Sequence, residues 1–358
     1  MIPIFKPYLY QEAKDLAKQA IDNEDIAQGP NIELFENRFS SYCDRKYGVT
    51  CSNGTVALYL AVKALNLPKG SDVILPSMTI LSCLTSVVEN DLNAVFCDID
   101  PITYNVDFNS LESKITPKTS AIIIINTYGL VVNTDELKRF KLKYPNIKII
   151  EDASESHGAS HKGIKAGSLG DISTFSFYTN KIVTTGEGGM ILTDDEKIYK
   201  TLLELRNLNF IDRKKYIHSD VGFNFRLTNI QCAIGLGQLQ NVNETIYHRK
   251  RIAFEYDKHF NDNVNIQIPY KDEDYNNVYW YYGILVKKNY NKVLESLTEN
   301  GIDYRHYFHP LHKQPFINSS EILLNSEISF DTGILLPIFN ELSNDEIKFI
   351  SQTIINQL

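Results

Sequence analysis

From Asp72 onward the chain alternates short apolar runs with amphipathic stretches. Val73–Pro76 reads as a strand, Ile80–Val88 as a helix, Ala94–Asp98 as a strand and Asn109–Ile115 as a helical segment. Ala121–Ile125 is a continuous apolar run, which predicts a strand buried on both faces. Thr134–Lys143 has helical spacing, and Ile147–Ile150 is a further buried strand that ends at Glu151-Asp152. The alternation continues through a strand at Ile172–Tyr178, a strand at Met190–Leu192 and a helix at Asp195–Leu205. Such an order predicts an α/β fold with a mostly parallel central sheet, whose ligands sit at the carboxyl ends of the strands.

Both flanks follow other patterns. An extended start leads to an amphipathic helix at Gln11–Asp22, a break at Gln28-Gly29-Pro30 and a second helix over Asn31–Tyr47. Arg206–Asp220 is long, polar and basic, and reads as a surface arm. After Val221–Arg226, a helix is expected over Thr228–Gln240. A second region opens near Asn241 with a charged helix, Thr245–Phe260, and contains a clear strand, Trp280–Val286. The expected division is a large α/β domain over 1–240, N-terminal segment included, and a smaller C-terminal α+β domain over 241–358.

Composition narrows the class. Of 358 residues, 43% are hydrophobic and 22% charged, as in an ordinary globular protein. A net charge of −8 argues against nucleic acid as a partner, because such binders carry a basic face. No apolar run approaches the roughly 18 residues of a membrane span, and MIPIFKPYLYQEAKD lacks the apolar core of a signal peptide. The five cysteines, Cys43, Cys51, Cys83, Cys97 and Cys232, are scattered and odd in number, which fits reduced thiols and a cytoplasmic location.

Three places carry candidate chemistry. Lys181 follows the Ile172–Tyr178 strand in a loop that continues Thr184-Thr185-Gly186-Glu187-Gly188-Gly189. Lysine forms a Schiff base with a carbonyl when its amine is partly deprotonated, although a solvated loop lysine fits the same stretch. Ser52-Asn53-Gly54-Thr55 opens a helix at Val56–Leu65, where free backbone N–H groups and the helix dipole favour an anion. Plain N-capping by Ser52, Asn53 or Thr55 is the alternative. Asp152, at a strand's carboxyl end, either points a carboxylate into the site or caps the following turn. His309-Pro310-Leu311-His312 lacks a third ligand at metal-binding spacing, so no metal is expected there.

Read together, SNGT at Ser52–Thr55, EDASESHGA at Glu151–Ala159, SFYTNKIVTTGEGGM at Ser176–Met190 and GFNFRLTNIQCAIGLGQL at Gly222–Leu239 form an ordered series. The series resembles the sugar-nucleotide aminotransferases of the DegT/DnrJ type, which use pyridoxal 5′-phosphate on the aspartate-aminotransferase fold, fold type I. The resemblance implies that Lys181 carries the cofactor aldehyde and moves the proton, and that Asp152 pairs with the pyridinium nitrogen. Glu155 would lie near the ring hydroxyl, where many relatives have Gln or His. Gly54, Thr55 and Ser176 would hold the phosphate, and Asn224 would reach it from the neighbouring subunit of a homodimer. Arg226 would serve a nearby anion or a structural ion pair, and His309 and His312 would lie on a substrate-contacting loop.

Two positions depart from the family pattern. Pro76-Ser77-Met78-Thr79-Ile80 puts an aliphatic side chain where relatives stack an aromatic ring, forgoing about 0.5–1.5 kcal/mol of stacking. Asn126-Thr127-Tyr128-Gly129 replaces a usual His-x-Tyr-Gly, and both changes are expected near the cofactor or substrate. The implied reaction takes the amine of L-glutamate, through pyridoxamine 5′-phosphate, to the ketone of a nucleotide-linked keto-deoxysugar. A GDP-4-keto-6-deoxymannose type is preferred, and the product would be an aminosugar for a surface polysaccharide. Another nucleotide sugar or a smaller phosphorylated ketone is the alternative. A sugar dehydratase of the same fold would carry histidine in place of Lys181, and a non-catalytic regulator would not need Lys181, Asp152 and the phosphate loop together.

Overall fold

Seven strands form the central sheet of the computed structural model, which describes residues 1–358. They are β1 (Tyr47–Cys51), β2 (Asp72–Pro76), β3 (Asn93–Cys97), β4 (Thr119–Ile125), β5 (Lys148–Asp152), β6 (Ile172–Ser176) and β7 (Gly189–Thr193). Their order is β1-β7-β6-β5-β4-β2-β3, and only β7 runs against its neighbours. The expected α/β architecture with a mostly parallel sheet is therefore present.

Alternation along each strand builds two cores. Ile122 and Ile124 of β4 pack into one with Phe35 and Phe39 of α2 (Pro30–Tyr42). Ile123 and Ile125 enter the other with Leu58 and Leu60 of α3 (Gly54–Ala64) and Cys83 and Leu84 of α4 (Leu81–Val88). Period-two side-chain alternation thus feeds both faces of one strand, which explains the unbroken apolar run. Each fully buried side chain of this size contributes about 1.5–3 kcal/mol.

A second sheet holds β8 (Ile266–Gln267), β9 (Tyr282–Val286), β10 (Arg305–His306) and β11 (Gly333–Leu336) in the order β8-β9-β11-β10, all antiparallel. Its core also takes Ile4, with Ile2 and Phe5 packed against it, and Ile2 bridges to Ile302. Residues Ile2–Phe5 therefore pack with the C-terminal unit, where their apolar side chains find a partner, while Leu16 of the helix Gln11–Asp22 packs against the large-domain core. The helix Val242–Phe260 spans both units, placing Val242 and Ile246 in one core and Ile252, Tyr256 and Phe260 in the other. The basic arm folds as an exposed hairpin, Phe210–Asp212 against Ile217–His218. No helix is long and apolar enough to cross a membrane.

Candidate active site

The carboxyl ends of the parallel strands open onto a cavity of about 990 Å³. Its lining includes Gly54, Thr55, Ile80, Asp152, Glu155, Ser176, Lys181 and His309, eight expected site residues drawn from separate elements. Asn224, Arg226 and His312 are not among them.

Close packing explains the glycine at the start of α3. A Cβ on Gly54 would lie 2.7 Å from Ser176 Cβ and 3.0 Å from Ser176 Oγ, so only glycine lets the helix start reach the end of β6. Asn53 is the N-cap, its Oδ1 accepting from Val56 N at 2.9 Å. The cap leaves the Thr55 hydroxyl in the cavity, where it pairs with Ser82 Oγ at 2.7 Å. Backbone N–H groups of the first turn have no intrahelical acceptor, so this corner favours an anion.

Asp152 ends β5 and is 4% exposed. Its Oδ1 accepts from Ser154 N at 3.0 Å and its Oδ2 from the Cys83 thiol at 3.4 Å. Glu155 is also buried, and its Oε2 accepts from Tyr128 N at 2.8 Å. Tyr128 holds a left-handed backbone, φ 53°, in the tight turn Thr127–Gly129, and that turn aims its N–H at Glu155. Burial pushes the Glu155 carboxyl up to about 7, against the opposing pull of the Lys181 charge. Burial also lowers the Lys181 amine, against the attraction of Glu155 and Asp152. Lys181 Nζ sits 3.5 Å from the centre of the Trp280 ring, whose Nε1 donates to Asn180 O at 3.0 Å. An amine in these surroundings is more readily deprotonated than a solvated one, which is what a nucleophilic or proton-moving lysine needs.

The other expected residues fall differently. His309 is on the cavity wall, edge-on to Phe330 at 4.7 Å. His312 is not a substrate contact: its side chain is fully buried, Nδ1 is 2.7 Å from Ser77 Oγ and Nε2 is 3.1 Å from Glu327 Oε1. Arg226 bonds Asn207 Oδ1 in place of an ion pair, and Asn224 bridges to Asn207, both away from the cavity of their own chain. Asn126 also proves to be scaffold. It is fully buried, donating to Glu151 Oε1 at 2.8 Å and Ser156 Oγ at 3.1 Å, so that departure does not face a ligand. Ile80 does line the cavity and is 45% exposed there. Sequence reasoning missed Ser82, Ser154 and Trp280, as well as Arg305 and Phe330 of the C-terminal unit. The single tryptophan was the available signal, but its strand pattern gave no direction.

The model of the DegT/DnrJ/EryC1/StrS aminotransferase family matches residues 7–355. The chain belongs to that family. It is 34% identical over 359 residues to a GDP-perosamine synthase of Escherichia coli O157:H7, covering 99% of this chain and 97% of that one. A GDP-perosamine synthase of Caulobacter vibrioides is 37% identical over 320 residues, 88% of this chain and 86% of that one. Among solved structures, S. venezuelae DesV superposes with a TM-score of 0.92 at 26% identity, covering 99% of this chain and 98% of that one.

This DegT/DnrJ-type protein is thus a transaminase that depends on pyridoxal phosphate. The residues present fit that group. The cradle of Gly54, Thr55 and Ser176 would hold its phosphate, Lys181 would meet its aldehyde, and Asp152 would offer a carboxylate to its ring nitrogen.

Proposed function

We propose that the protein moves the amino group of L-glutamate to the ketone of a nucleotide-linked keto-deoxysugar, of the GDP-4-keto-6-deoxymannose type, for a surface polysaccharide. The observation that carries this reading is the meeting of Lys181, Asp152 and the Gly54–Thr55–Ser176 cradle in one cavity. The sugar-nucleotide part is supported by similarity to two GDP-perosamine synthases over most of both chains. A volume of about 990 Å³ is at the upper end for small-molecule sites and suits a long acceptor better than a small phosphorylated ketone.

Bound pyridoxal phosphate supplies an electron sink for the carbon that gives up its proton. In our reading, Lys181 Nζ takes that proton from the donor's α-carbon and later returns one to the sugar carbon that gains the amine. The Asp152 carboxylate, fixed by Ser154 N and the Cys83 thiol, would pair with the cofactor's ring nitrogen and favour its protonated form. Ile80, the residue that precedes α4, lines the cavity and would cover a ring face. Burial leaves more of the Lys181 amine unprotonated and free to take the donor's proton.

A homodimer is part of the proposal. Ile211, Tyr216, Ile217, Val221 and Phe223 expose apolar side chains on and beside the hairpin, and Asn224 and Arg226 follow directly. A second copy covering this patch would bring Asn224 and Arg226 to the neighbouring cavity. The reduced, buried state of all five cysteines supports a cytoplasmic setting.

The purified protein should be yellow, lose that colour with L-glutamate, and regain it with the correct GDP-, UDP- or dTDP-linked keto-sugar. Mass spectrometry should then find the aminosugar. A colour that ignores every amino donor would overturn the reading, and a product short of one water would move the chain to the dehydratases.

A further inference from the structure

Buried Ser77 and His312 form, with the half-exposed Glu327 that also pairs with Lys313 at 3.3 Å, a relay that no step above uses. Ser77 Oγ lies 2.7 Å from His312 Nδ1 and accepts from His312 N at 3.2 Å. His312 Nε2 lies 3.1 Å from Glu327 Oε1, which also accepts from Leu323 N at 3.2 Å. With a proton on Nε2 facing the carboxylate, Nδ1 accepts from the Ser77 hydroxyl, and every polar atom of the ring is satisfied. Leu311 N adds a bond to Ser77 O at 2.8 Å.

A serine, a histidine and a glutamate so arranged invite comparison with a hydrolytic triad, but burial excludes it. Ser77 is wholly inaccessible, and none of the three lines the cavity. Their positions along the chain suggest another use. Ser77 precedes Thr79 and Ile80, His312 follows Phe308 and His309, and Glu327 precedes Phe330. All five of those neighbours line the cavity. One relay therefore fixes three separate lining segments against each other: the loop after β2, the segment after β10 and the helix Leu324–Thr332. Asp98 reinforces the last of these, its carboxylate accepting from Asn325 N at 2.9 Å and from Ser326 N at 2.9 Å.

The geometry points to Ser77, His312 and Glu327 as positioning residues that hold the acceptor-side wall, Phe308, His309 and Phe330, in register with the Ile80 loop. This rests on the proposed function, because a long nucleotide-linked sugar must reach this wall whereas glutamate needs only the floor near Lys181. A gap of about an ångström at such a wall weakens the alignment of a bound substrate well before it unfolds the protein.

Two measurements on the cofactor-loaded protein test the relay. The first is hydrogen exchange of the protein without sugar. Ser77→Ala should speed exchange at 306–310 and 325–330, and Glu327→Ala should speed it at 77–81, because each loss is transmitted through His312. The second separates the half-reactions. Both variants and His312→Ala should raise KM for the keto-sugar roughly tenfold, while the rate of bleaching by L-glutamate stays within about twofold. His312→Asn, whose amide can replace the Nδ1 side alone, should fall between wild type and His312→Ala. Exchange that changes only beside the substituted residue, an unaltered KM for the sugar, or an equal loss in both half-reactions would overturn the inference. If the wild type accepts no nucleotide-linked ketone, the proposed substrate falls, and the exchange data alone decide the relay.

Discussion

Burial acts in opposite directions on Glu155, which lines the cavity, and on His157, two residues further on in the core. The Glu155 carboxyl is raised from 4.5 to about 7, so between those values the unfolded chain has lost a proton that the native state keeps. Stability therefore falls as pH rises through that window and is flat above it. Measured by thermal unfolding, the stability of wild type relative to Glu155→Gln should fall by this slope between pH 4.5 and 7. His157 works the other way. Packed among Phe39, Phe175 and Phe177, with no partner of good geometry for either ring nitrogen, it is lowered from 6.5 to about 3, mainly by burial and then by the Lys181 charge. Unfolded chains bind a proton there that the native state refuses, so stability falls as pH drops from 6.5 toward 3. His157→Leu should flatten that limb of the curve. Lys181→Ala should cut aminosugar formation at least about 10²–10⁴-fold, the usual share of a positioned acid–base group, and a rate near wild type would refute its role. Lys181 and Asp152 were legible in the sequence because one lies in the loop after a strand and the other closes a strand within an ordered series of motifs. His312 was not, since nothing local distinguishes a wall residue from a buried one.

Among the elements, α3 and β6 define the phosphate corner by their contact. Gly54→Ala would force a Cβ to within 2.7 Å of Ser176 Cβ, pushing the helix start off the strand. The expected result is weaker cofactor binding in a spectroscopic titration, with the fold retained by circular dichroism. Unchanged affinity would show that the corner does not hold the phosphate. Removing the Asn53 cap should cost about 1 kcal/mol of stability, in line with other N-caps. Sequence periodicity located almost every element but misjudged some ends, each for an identifiable reason. The second helix was expected to reach Tyr47 and stops at Tyr42, because Asp44 adopts a left-handed conformation, φ 57°. The strand expected from Trp280 begins at Tyr282. Tyr279 is left-handed, and Val278 N and Trp280 N bond Gly129 O and Tyr128 O of the other unit. Long-range partners, invisible to a local pattern, took those residues out of the strand and turned Trp280 toward Lys181.

For the whole molecule the testable consequence is assembly. Sedimentation should give a dimer for the wild type, and Phe223→Asp should shift it toward monomer and weaken cofactor retention by removing Asn224 from the neighbouring cavity. A monomeric wild type that retains its cofactor would refute the shared site. Local pattern and residue type were sufficient to determine the strand–helix alternation and the parallel sheet, and the ordered motif series singled out the lysine and the carboxylate near its strand ends. These follow from side-chain periodicity and chain order, both of which are written along the chain. Tertiary structure decided which side chains face the cavity and which face a core. His309 and His312 are three residues apart, yet one meets the ligand space and the other is sealed against Ser77 and Glu327. The apolar start of the chain likewise found its partner at Ile302, some 300 residues away. Burial depends on where a segment docks, and docking is set by surfaces distant in sequence.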